Sequence, residues 1–111
     1  MAKLLNFEYK NKEYTLEYTR ETIKQMEREG FIAENVINKP MTTLPKLFAG
    51  AFKAHHKFDA KQKLIDEMFD LFTNKGALLE KLVEMYREPL EALMDDENID
   101  EGNAIKWEAN F

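Results

Sequence analysis

Residues 1–31 read MAKLLNFEYKNKEYTLEYTRETIKQMEREGF, and the alternation within them decides the fold. Leu5, Phe7 and Tyr9 alternate with polar neighbours, as do Tyr14, Leu16 and Tyr18, which is the period of a half-buried strand. A two-residue turn at Asn11-Lys12 would set Lys10 opposite Glu13, Tyr9 opposite Tyr14, Phe7 opposite Leu16 and Leu5 opposite Tyr18. That register predicts a β-hairpin with these apolar side chains on one face and an opposite-charge pair beside the turn. The chain then passes straight into a helix, with Thr19 suited to its N-cap and Glu21 to the positive end of its dipole. Ile23 and Met26 give this helix a narrow apolar stripe. Gly30 falls where a left-handed C-terminal cap is wanted, and Phe31-Ile32 can fold back over the last turn.

Downstream the period changes. Residues 32–42 read as a connector, because Pro40 opposes continuous helix. A second helix is expected from Thr43 as its cap, with Pro45 in the first turn. Leu44, Leu47, Phe48, Ala51, Phe52 and His55 recur along it at helical spacing. Asp59 is placed to cap a third helix carrying Leu64, Ile65, Met68, Phe69 and Phe72. After a break at Thr73-Asn74, a last helix over 75–94 would turn Leu78, Leu79, Leu82, Val83, Tyr86, Leu90 and Leu93 inward. Pro89 is expected to kink or split it. The predicted class is α+β: the hairpin packs against about four helices and meets the second and fourth of them with its apolar face. Residues 1–94 would form a single domain, and 95–111 an acidic linker with a strand-like tail.

That tail returns to alternation in AIKWEANF (residues 104–111), with Ile105, Trp107, Ala109 and Phe111 on one side. Two readings stand. The segment joins the hairpin as a third strand, which a two-stranded sheet needs for stability, or it adds to a partner's sheet edge. Under the second reading Ile105, Trp107 and Phe111 are the candidate partner-binding residues.

Composition removes most chemistry. The chain has 111 residues, no cysteine and no serine, which excludes disulfides, thiolate metal sites, cysteine nucleophiles and Ser-His-Asp triads. Adjacent His55 and His56 would point about 100° apart on a helix and cannot readily share an ion. On the helical pattern His55 continues the apolar face and His56 points away. Asp66, Glu67 and Asp70 form a carboxylate face without a matching histidine. The acids around Asp95–Gly102 miss the calcium-loop spacing, and four scattered glycines build no phosphate loop. No catalytic, cofactor or metal site is expected. No apolar run approaches the roughly 20 residues of a membrane span, and a cytoplasmic protein is expected. Net charge is −5, and residues 88–111 hold eight acids against the single Lys106. That distribution argues against nucleic acid as a partner.

Beyond the residues themselves, LNFEYKNKEYTLEYTRETIKQMEREGF, KPMTTLPKLFAGAFKAHHKF (residues 39–58), IDEMFDLFTNK (residues 65–75) and GNAIKWEANF resemble small tailed-phage (siphophage) tail assembly chaperones. The resemblance runs over nearly the whole chain and rests on element order and local phrases. It implies a non-enzymatic protein of the host cytoplasm that binds the tape-measure protein and recruits tail-tube subunits. Such a protein is absent from the mature virion. Separately from the resemblance, the sequence is compatible with a homo-oligomer. The alternative is a structural head-tail or tail-completion component retained in the particle. The methionines Met26, Met41, Met68, Met85 and Met94 would offer adaptable surface wherever they are exposed.

Overall fold

The computed structural model describes residues 3–94 and 102–111. Strands β1 (Leu5–Tyr9) and β2 (Lys12–Leu16) form a two-stranded antiparallel sheet. Among the described residues six helices come after it: α1 (Arg20–Arg28), α2 (Asn35–Asn38), α3 (Pro40–Gly50), α4 (Lys53–His56), α5 (Gln62–Leu71) and α6 (Lys75–Met94). The class is α+β, as the sequence predicts. The two helices beyond the expected four are single turns, α2 in the connector and α4 after α3.

Lys10 and Asn11 make the hairpin turn with φ of 51° and 65°, the doubly positive geometry of a type I′ turn. The register therefore differs by two residues from that of an Asn11-Lys12 turn: Leu5 faces Leu16, Phe7 faces Tyr14 and Tyr9 faces Lys12. A slip of two keeps every side chain on its own face, so the apolar face survives while its pairs change. The observed register stacks Phe7 on Tyr14 at 5.3 Å between ring centroids. It also leaves Tyr18 outside the sheet, where its hydroxyl donates a buried hydrogen bond to the Leu47 carbonyl. On the solvent face Glu8 stands opposite Glu13, a like-charge pair that is mildly unfavourable.

Helix α1 begins and ends as its sequence dictates. Thr19 accepts from the Thr22 amide while the Thr22 side chain accepts from the Thr19 amide, a reciprocal capping box. At the other end Gly30 adopts φ 95°. The Phe31 amide then donates to Met26 and that of Gly30 to Glu27, which closes a Schellman motif and buries Phe31. Helix α3 starts earlier than Thr43, because Pro40 occupies its first position with φ already suited to a helix. Thr43 is buried inside it and Pro45 lies in its interior.

Helix α3 is the centre of the core. Phe48 meets Phe52 and Phe69 at 5.1 Å each and Phe72 at 5.5 Å. Phe72 in turn meets Phe7 of the hairpin edge-on at 4.9 Å. Gly50 lets α3 approach α1 closely, since a Cβ there would run into the Met26 side chain. Helix α6 supplies Leu78, Leu82, Met85 and Tyr86 to the core. It stays unbroken across Pro89, whereas Leu90 and Leu93, expected inward, are exposed. The hairpin leans mainly on Phe52, α4 and the end of α5, and its flanking residues reach α6: Lys3 pairs with Glu84 at 3.0 Å and Tyr18 packs on Tyr86 at 5.5 Å. Asp59 caps no helix; the N-cap of α5 is Lys61 and has no side-chain cap bond. No helix among the described residues is long and apolar enough to cross a membrane.

Candidate interaction site

Histidines are the first place to look for chemistry, and their roles are the reverse of the helical expectation. His56 is the inward one, packed beside Tyr14 at 5.0 Å between ring centroids. The Thr15 amide donates to His56 Nε2 at 3.0 Å, and Nδ1 lies 3.2 Å from both Asp59 carboxylate oxygens. An N–H aimed at Nε2 fixes that nitrogen as the acceptor, so Nδ1 carries the proton and donates to Asp59. The Asp-His pairing resembles a catalytic dyad, but a backbone amide occupies the nitrogen that would act as base. His55 is exposed and pairs with Glu17 at 2.7 Å. Helix α3 ends at Gly50, and the two histidines lie on the separate turn α4 beyond the i→i−3 bonds of Ala51 and Phe52, so the periodicity of α3 does not carry through to them.

Asp59 also takes the Lys12 ammonium at 2.6 Å. This hydrogen bond, with that from His56, holds its carboxyl down at about 2. Glu67, of the third helix's carboxylate face, accepts from the Tyr9 hydroxyl at 2.6 Å; that bond and nearby Lys10 lower its pKa. These carboxylates tie the hairpin to the helices. Among the described residues no cluster of three or more His, Asp or Glu is arranged to hold a metal. The acidic stretch considered for calcium lies largely outside the described residues. Of the described methionines, Met26, Met68 and Met85 fill the core, while Met41 and Met94 are exposed.

The remaining candidates are surfaces for other macromolecules. Ile105 and Trp107 are 89% and 84% exposed, Phe111 is fully exposed, and residues 104–111 form no strand. The tail is therefore not the third strand of its own sheet, and no element among the described residues covers its apolar triad. An apolar groove of about 380 Å³ lies between the α1–α3 connection and α6, walled by Phe31, Val36, Ile37, Leu47, Val83 and Leu90. Tyr86 lies at its floor, where burial raises the phenol pKa. Sequence periodicity misses this groove because it assigns Val83 and Leu90 to the core. The signal available is the isolated Val36-Ile37 pair within a polar connector.

A second surface concerns the sheet edges. On β2 the outward amides of Thr15 and Glu17 donate to His56 and to the Ala51 carbonyl, so the far half of that edge is occupied. On β1 no hydrogen bond from the backbone of Asn6 or Glu8 reaches any described group outside the hairpin. A shallow groove of about 240 Å³ runs beside it, lined by Phe7, Tyr9, Met68, Leu71 and Phe72.

The chain is a small α+β domain that presents an apolar groove and an open strand edge at its surface. Residues 1–111 match the domain of unknown function DUF5055, and the chain belongs to that family. No curated protein and no solved structure shows significant similarity to it.

Proposed function

We propose that this chain is a non-enzymatic assembly chaperone of the tailed-phage type, acting in the host cytoplasm on the tape-measure protein and helping to recruit tail-tube subunits. The observation that carries the reading is the groove walled by Phe31, Val36, Ile37, Leu47, Val83 and Leu90. A holding chaperone needs an accessible apolar groove for an apolar client segment, within a surface charged enough to keep the complex in solution. The groove opens beside exposed Ile37 and Leu90 on a chain of net charge −5. The resemblance of the sequence to that class supplies the client.

Co-expression with the tape-measure protein tests this directly. The client should stay soluble and co-purify with the wild-type chain, and Leu90→Glu should abolish both effects while leaving the melting transition in place. Failure of the wild-type chain to solubilise or retain the tape-measure overturns the proposal. Stoichiometric protein in purified virions, found by mass spectrometry, would instead favour the head-tail or tail-completion reading.

A further inference from the structure

The chain carries both an open strand edge and an unpaired strand-like segment, and the two are complementary. We infer that residues 104–111 of one copy add as an antiparallel third strand to the β1 edge of a second copy, each chain giving a tail and receiving one. This goes beyond the chaperone reading and does not depend on it.

Hydrogen bonding defines the acceptor. Because the amides of Thr15 and Glu17 point away from β1, the pairs Asn6–Thr15 and Glu8–Glu13 are the non-hydrogen-bonded ones. The backbones of Asn6 and Glu8 must then point outward from β1, the direction in which an added strand would bond. A strand laid there presents alternate side chains to the groove lined by Phe7, Met68, Leu71 and Phe72 and the others to solvent. The tail has that alternation, with Ile105, Trp107 and Ala109 on one side and Lys106 and Glu108 on the other.

Charge sets the register. The solvent face of the sheet presents the opposed carboxylates Glu8 and Glu13, neither in an ion pair among the described residues. Lys106 is the only cation in residues 88–111. Seating Lys106 opposite Glu8 puts Trp107 opposite Phe7 beside the groove, and Ile105 opposite Tyr9. One register therefore satisfies the charge, the apolar alternation and the outward backbone groups together. A chain's own tail lies off its own sheet, with residues 104–111 exposed throughout. Reciprocal exchange between two copies closes the assembly.

The absence of native cysteine makes crosslinking clean. Hydrogen-bonded antiparallel pairs have Cα atoms about 5.5 Å apart, within disulfide reach. Mild oxidation of an equimolar mixture of Glu8→Cys and Lys106→Cys chains should give a covalent dimer joined between those two positions. It should form at least about tenfold faster than in a mixture of Glu8→Cys with the control Glu91→Cys, because seating raises the effective concentration. Both substituted side chains are exposed, so folding is not at stake. In the wild-type chain, Trp107 emission should shift to the blue as concentration rises, in step with doubling of the mass by light scattering. A monomer at all concentrations with solvent-exposed Trp107 overturns the inference. So does a disulfide that forms only within single chains of the doubly substituted variant, which would place the tail on its own sheet.

Discussion

The hairpin and the tail carry the same sequence signal and meet opposite fates. Leu5 to Leu16 and Ile105 to Phe111 both alternate apolar with polar residues, yet Leu16 is 0% exposed while the tail triad stands in solvent. Alternation specifies that a segment has an apolar face; it does not specify what covers that face. The hairpin finds its cover in Phe52, α4 and Phe72 at the end of α5. No described element of the same chain packs on the tail.

The sharpest way to break that contrast is to place a charge on each face. Leu16→Asp would bury an unpaired carboxylate and should cost about 4 kcal/mol or more, with the cooperative melt lost. A folded Leu16→Asp variant would mean that the sheet face is not core. Truncating the core on the helical side should be nearly as severe: Phe48→Ala should destabilise by about 3–5 kcal/mol in chemical denaturation. Gly50→Ala sharpens the account of how the helices approach, since its Cβ meets Met26, and overpacking of this kind typically costs about 1–3 kcal/mol.

A gentler probe lies in the pH dependence of the tie between hairpin and helices. The Asp59 carboxyl is held at about 2 against an ordinary 3.8 by Lys12 and His56. A depressed folded-state pKa means stability present above 3.8 and lost as pH falls towards 2. Asp59→Asn should therefore flatten the fall in melting temperature across that window, measured against wild type. The smallest effect is expected in the tail: Trp107→Ala should leave the stability of the dilute chain within about 0.5 kcal/mol of wild type. A large loss there would place the tail inside the fold.

Legibility in the sequence tracks the range of the interaction involved. The caps at Thr19 and Gly30 are local and can be read from a few residues. The hairpin face is legible as well, but its register is not, because a two-residue slip preserves the alternation and only the contacts of Tyr14 and Tyr18 choose between registers. His55 and His56 exchange roles because α3 ends at Gly50 and the pair lies on a separate turn, α4, to which the period of α3 does not extend. Leu90 and Leu93 look like core because helical spacing continues whether or not another element is there to receive it. The apolar groove escapes for the same reason, as it is made by elements far apart in sequence.

The imidazole that takes the Thr15 amide of β2 also has a consequence for biosynthesis. Thr15 precedes His56 by 41 residues, and a ribosome adding roughly 5–20 residues per second takes about two to eight seconds to make that interval. For that time the nascent hairpin has neither edge protected and neither α4 nor α5 is complete to cover its aromatic face. The first segment of the fold to be translated is thus among the last to be secured, and sequestration of the emerging chain would matter most between the codons for Leu16 and His56.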